Sequence, residues 1–278
     1  MADTDVSPIA ELEVIPLMST PLRIGVSLKL YFGYAQTLDW CSQVAETAAT
    51  HPALQSGAVE LFVLPSFPAI PAVTAIFADG PVAVGAQDLG AVDAGAYTGE
   101  VSGAMLAELG ARYVEVGHAE RRRLFGEDEA VVADKTAAAL RNGLVPVLCL
   151  GEADRGPSSE AADECVRQLH SALAVADREG FGGPVLVAYE PHWAIGAAEP
   201  AGDDHIVVVC AALRDGLAAT GRAGSSVIYG GSAGPGLLTR LGDGVDGLFL
   251  GRFAHDPAAL AAVLDEAEQL VQSAEVAR

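Results

Sequence analysis

The chain predicts an α/β fold, a (β/α)8 barrel built as one domain, and three features point there. Its 278 residues contain no Ser/Pro linker, charge block or low-complexity tract where a domain boundary would fall. Short β-branched apolar runs alternate with longer amphipathic ones along its length. Polar, chemically capable residues gather just after those apolar runs. About 250 residues is the usual size of such a barrel. A doubly wound sheet is the alternative, but it usually has fewer strands, and no GxGxxG follows the first one.

Eight runs read as strands: RIGVSL (23–28), VELFVL (59–64), PVAVGA (81–86), RYVEVG (112–117), LVPVLCL (144–150), PVLVAYE (184–190), SVIYGG (226–231) and DGLFLG (246–251). They are continuous and apolar, as strands covered on both faces are. Helical patterns occupy the intervals: QTLDWCSQVAETAAT, PAIPAVTAIF, VSGAMLAELGA, EAVVADKTAAALRNG, SEAADECVRQLHSALAVADREG, DDHIVVVCAALRDGLAAT and GPGLLTRLGD, with AHDPAALAAVLDEAEQLVQSA last. A further short helix is expected directly after His118, in AERRRLF. Residues 1–20, acidic and carrying Pro8 and Pro16, read as a loose arm ahead of a barrel spanning 21–278.

The formal net charge of −21 excludes nucleic acid and anionic membrane as expected partners, because the carboxylates would repel phosphate. An anionic ligand would need a locally positive site. The arm has neither the basic start nor the apolar core of a signal peptide, and no apolar run reaches bilayer length, so a cytoplasmic location is expected. Cys41, Cys149, Cys165 and Cys210 show no CxxC spacing and read as buried free thiols rather than disulfides or zinc ligands.

In a barrel the active site is built at the carboxyl ends of the strands. Lys29 follows the first strand, His118 and Glu120 the fourth, and Glu190 ends the sixth. Gly230, Gly231 and Ser232 follow the seventh, and Gly251 and Arg252 the eighth. Any one of these could be an exposed lysine, a satisfied histidine or a helix cap. Their gathering on one rim argues for a site.

Longer motifs carry a resemblance: GAQDLGAVDAGAYTGEVS (85–102), VGHAERRRLFGEDE (116–129), VLCLGE (147–152), VAYEPHWAIG (187–196), YGGS (229–232) and DGLFLG (246–251). From about residue 23 onward the chain resembles the triosephosphate isomerase family, whose fold is the TIM barrel. The resemblance implies Glu190 as the catalytic base, His118 as the electrophile, Lys29 as the active-site lysine and Glu120 as its supporting glutamate. Backbone at Gly196, Ser232, Gly231 and Gly251 would hold phosphate, helped by the start of the helix after GPG. PHWAIGAAEPA (191–201) would be a lid, latched by Tyr229. Thr98 would sit in a loop that crosses into a second subunit, making the protein a homodimer. The implied chemistry is proton transfer through a cis-enediolate, with no metal or organic cofactor. Just before a helix, the imidazole of His118 would meet backbone N–H groups and stay neutral, an arrangement used as a standard illustration of pKa tuning in this family.

Several positions depart from the family pattern, all near the substrate or the lid. Ser27 stands for an asparagine, Leu28 for a tryptophan and Ala119 for a serine. Ala197, Ala198 and Glu199 replace the usual lid residues, Pro200 stiffens the trailing hinge, and Arg252 stands for a glycine. Serine for asparagine removes about two heavy atoms, roughly what a hydroxymethyl group adds. With Arg252, this resembles the branch of the family that isomerises erythrulose phosphates, and L-erythrulose 1-phosphate is the favoured substrate over the triose phosphates. Arg252 would add a charged contact. Another phosphate-binding barrel would lack GHAERR with AYEPHW, and an inactive barrel kept as a binding protein would be expected to have lost Lys29, His118 or Glu190. His192 gains no role from the sequence. His51, His170, His205 and His255 are expected to be solvated.

Overall fold

The structure is a computed structural model describing residues 20–276. The expected arm thus lies almost wholly outside the described residues. Strand β1 (Leu22–Ser27) leads through helices α1 (Tyr34–Thr50) and α2 (Pro52–Gln55) to β2 (Val59–Leu64), then α3 (Ile70–Phe77), β3 (Val82–Ala86) and α4 (Gly103–Glu108). Strand β4 (Tyr113–Val116) is followed by two helices, α5 (Ala119–Phe125) and α6 (Glu129–Arg141). The rest runs β5 (Val145–Leu150), α7 (Ser158–Glu179), β6 (Leu186–Tyr189), α8 (Asp203–Ala219), β7 (Ser226–Tyr229), α9 (Leu237–Leu241), β8 (Gly247–Leu250) and α10 (Pro257–Val276). All eight strands pair in parallel and in chain order, and β1 pairs with β8, so the sheet closes. A doubly wound sheet is thereby excluded.

Local chemistry sets the helix ends. Ser102 and Asp128 cap α4 and α6 by accepting from the N–H groups of Met105 and Val131. Gly126 and Gly180 end α5 and α7 at φ of 72° and 76°, conformations that a side chain would disfavour. Helix α1 begins two residues ahead of the periodic pattern, and α9 covers only the apolar half of GPGLLTRLGD.

Two apolar layers result from strand alternation. Phe62, Leu64, Tyr113, Val147, Cys149, Leu186, Ala188, Ile228 and Phe249 fill the barrel interior. Ile24, Val26, Val63, Val114, Val116 and Val187 face outward into the larger core against the helices. The interior is dense: Phe62 stacks on Tyr113 at 4.3 Å between ring centroids and lies 6.1 Å from Phe249. Gly25 leaves space for these rings, since a Cβ there would come within 2.8 Å of Phe249. All four cysteines are free and buried, as the sequence suggests. No described helix is long and apolar enough to cross a membrane.

Because Phe62 is fully buried in this interior, Phe62→Ala should lower the unfolding free energy by about 3–5 kcal/mol. Chemical denaturation of the two proteins side by side checks this, and a loss under 1 kcal/mol would mean that the interior can collapse around the gap.

Candidate active site

The carboxyl ends of the strands surround a cavity of about 720 Å³, within the range of small-molecule sites. Ser27, Lys29, Glu120, Glu190, Gly196, Ser232, Gly251 and Arg252 line it, as the sequence predicts. Arg123, His192, Gly230 and Phe249 line it too. Gly231 is buried instead, packed against the Tyr229 hydroxyl, and leaves the lining to Gly230. Thr98 lies apart, at the exposed tip of the β3–α4 loop.

Lys29 occupies a left-handed backbone conformation, φ 47°, which costs a non-glycine residue about 1–3 kcal/mol unless neighbours hold it. They do so here. Its carbonyl accepts from Gln87 at 3.0 Å and from the Ser66 hydroxyl at 3.3 Å. The ammonium thereby reaches inward, donating to Glu120 Oε1 at 2.9 Å and lying 3.2 Å from His118 Nε2. Burial works against the charged amine, but Glu190 and Glu120 outweigh it and its pKa moves up. Lys29 stays an ammonium.

His118 does cap a helix: Nδ1 accepts from the Glu120 N–H at 3.1 Å. Burial, reinforced by the Lys29 charge, drives its pKa down to about 3. In a neutral ring whose Nδ1 accepts, the proton sits on Nε2. Nε2–H and the Lys29 ammonium are then two donors converging 3.2 Å apart, an arrangement suited to an oxygen that gains negative charge. Helix α5, which carries this arrangement, is fastened from below: Arg121 and Lys135 both bridge Asp88 and Glu127 at 2.6–2.8 Å.

Glu190 stands 3.6 Å from His118 Nε2, 5% exposed, and its Oε2 has no partner. Two glycines make its position possible. A Cβ on Gly230 would lie 2.8 Å from Glu190 Cγ, and one on Gly151 would collide with the Glu190 carbonyl. Burial raises the carboxyl pKa to about 7, with Lys29 opposing. A carboxylate poised there can take a proton near neutral pH and give it back.

The segment after Glu190 lines the cavity through His192 and residues 195–198. At its leading end Trp193 Nε1 donates to Glu152 at 2.9 Å, and Tyr189 donates to the same carboxyl at 3.1 Å. At its trailing end the Ala201 N–H donates to the Tyr229 hydroxyl at 2.9 Å, and in between Ser232 donates to the Ala197 carbonyl at 2.8 Å. Arg252 reaches the Gly196 carbonyl at 3.4 Å.

Three histidines differ from the solvated state expected of them. His51 is buried beside Asp265, His205 sits 3.1 Å from Glu152, and His255 packs on Phe32 at 4.6 Å. Their places on helices or at helix starts suggest exposure, but neighbours distant in the chain pack against them. His170 is exposed. His192 faces the cavity, with burial lowering its pKa. The sequence reading also passed over Glu115, whose carboxyl oxygen lies 2.8 Å from the Ser27 hydroxyl inside the barrel. The alternation in Tyr-Val-Glu-Val was the available signal, since Tyr113 points inward and Glu115 shares its face.

The triosephosphate isomerase family model matches residues 22–267. The chain is 56% identical over 259 residues to an L-erythrulose-1-phosphate isomerase of Pectobacterium atrosepticum, covering 93% of this chain and all of that one. A second protein of that name, from Rhizobium etli, is 38% identical over 83% of this chain and 86% of its own. A triosephosphate isomerase of Mycobacteroides abscessus is 46% identical, over 63% of this chain and 69% of its own. With its closed parallel barrel and the rim described above, the chain belongs to the triosephosphate isomerase family and is an isomerase.

Proposed function

We propose that this isomerase interconverts L-erythrulose 1-phosphate and D-erythrulose 4-phosphate. The observation that carries the reading is the small Ser27 lining the cavity beside Lys29 and Glu190, where a longer side chain would fill the room a fourth carbon needs. The 56% identity to a protein with that activity in its name supports it. Glu190 removes the proton from the carbon bearing the hydroxyl next to the ketone. An enediolate forms, with its negative charge facing His118 Nε2–H and the Lys29 ammonium. Glu190 returns the proton to the neighbouring carbon, and proton exchange between the two oxygens, through His118, moves the ketone. Glu120 holds Lys29 in place. Gly196, Ser232 and Gly251 hold the phosphate through backbone N–H groups, and Arg252 adds a charged contact. The lid keeps water from the enediolate, and Tyr229 latches it.

The molecule works as a cytoplasmic homodimer in this reading. Tyr97 is 55% exposed beside Thr98, and Leu30 and Phe125 are 89% and 67% exposed, apolar surface suited to a second copy.

Side-by-side assays should give a higher kcat/KM on L-erythrulose 1-phosphate than on glyceraldehyde 3-phosphate, with Glu190→Gln removing both. Preference for the triose would make Ser27 and Arg252 neutral changes. Because the base must be ionised and burial raises its pKa to about 7, kcat/KM should fall about tenfold per pH unit below that point. A flat profile down to pH 5 would contradict the assignment of Glu190. Tyr97→Asp should shift the protein toward monomer in sedimentation and lower kcat. A wild type that sediments as a monomer would rule the dimer out.

A further inference from the structure

Glu115 is a glutamate inside a barrel, 3% exposed, on a strand whose other inward residue is Tyr113. A carboxyl so placed must be neutralised, paired or hydrogen-bonded. Its Oε2 lies 2.8 Å from Ser27 Oγ, and Oε1 lies 3.9 Å from Cys149 Sγ and 4.0 Å from His118 Nε2. Glu115 forms no ion pair with Lys29, whose ammonium is engaged by Glu120. Ser27 lines the cavity and Glu115 lies behind it.

We infer that Glu115 is a positioning residue, a protonated carboxylic acid that donates to Ser27 Oγ and so frees the Ser27 hydroxyl to donate into the cavity, toward the substrate oxygens. The 2.8 Å separation serves either direction of donation. An ionised Glu115 could only accept, and would then hold the serine proton for itself. The protonated form reverses the bond and leaves the Ser27 hydrogen pointing at the reacting carbons. This rests on the reading of the cavity as an enediolate site, and not on the length of the sugar.

The surroundings keep Glu115 protonated. Burial and the charge of Glu190 together raise its pKa to about 8, against the opposing pull of Lys29 and Ser27. The other groups facing it titrate elsewhere. After β1 Lys29 is shifted up, and after β4 His118 lies near 3 with Glu120 shifted down by Lys29 despite burial. On β5 burial pushes the Cys149 thiol well up, and after β6 Glu190 lies near 7. Strand β3 carries no titratable residue. Above about pH 8 Glu115 ionises, withdraws the Ser27 donor and sets a negative charge beside the enediolate, so activity falls on the alkaline side.

The test is a pH profile of kcat and KM for Glu115→Ala, Glu115→Gln, Ser27→Ala and the Ser27→Ala/Glu115→Ala double variant, on both L-erythrulose 1-phosphate and glyceraldehyde 3-phosphate. Glu115→Ala should lower kcat/KM on the preferred substrate by roughly tenfold to a hundredfold, mostly in kcat. Glu115→Gln, whose amide still donates but cannot ionise, should recover most of that loss and abolish the alkaline fall near pH 8. The double variant should be no worse than Ser27→Ala. Thermal unfolding checks that each variant folds, and the near-isosteric glutamine variant keeps the test valid if the alanine variant does not. An unchanged alkaline limb in Glu115→Gln, or additive losses in the double variant, would overturn the inference while leaving the isomerase reading intact. A fully active Glu190→Gln would overturn both.

Discussion

The ammonium of Lys29 is the group on which the rest of the site depends. Glu115, Glu120 and Glu190 are carried on or after β4 and β6, and all three feel its charge. Like charges so close in a poorly hydrated interior cannot all ionise. Burial raises Glu190 to near neutrality and, with the Glu190 charge, Glu115 higher still, while the ammonium opposes both and holds Glu120, bonded to it at 2.9 Å, ionised. The same charge adds to the burial that keeps His118 neutral, so one side chain acts on the protonation of four others. Its strained backbone is tolerable because Gln87 and Ser66, at the ends of β3 and β2, hold its carbonyl. Closing the barrel puts those ends within reach.

An acidic chain that handles an anion needs its positive charge concentrated. Lys29, Arg123 and Arg252 all line the cavity of a chain carrying a net charge of −21. The field is therefore local, and the rest of the surface repels polyanions. Arg252 and Ser232 also hold carbonyls of the 191–201 segment, those of Gly196 and Ala197. Glu152 sits at the other end of that segment, gathering Tyr189 and Trp193 with the distant His205.

The barrel was legible because strand burial on both faces leaves an unbroken apolar run, and the eight runs match the eight strands to within two residues at either end. The cavity lining was legible for a geometrical reason: residues following a barrel strand all arrive on one rim. What escaped was non-local. Ser27 and Glu115 are 88 residues apart, and nothing in either flank names the other. Glu115 was also hidden within a run read as continuously apolar, where its inward register was the telling feature. That the glycines at 151 and 230 leave room for the base was not legible either, because the atoms a Cβ would meet belong to a distant part of the chain. His51 and His205 misled for the same reason, since long-range packing and not a place on a helix decides burial.

Seen with its partner, the serine at position 27 is half of a device. Shortening a side chain at the cavity wall opens space, but it also leaves polar groups behind it without partners, and an orphaned buried carboxyl costs more than the space gains. Glu115 fills that depth and gives the serine a fixed partner. The enlarged cavity therefore ends on a satisfied hydrogen bond instead of a void. Cavity room and hydrogen-bond direction are then set together: the serine supplies the room, and the acid behind it supplies the orientation, kept protonated by burial and the Glu190 charge against the pull of the ammonium across the barrel.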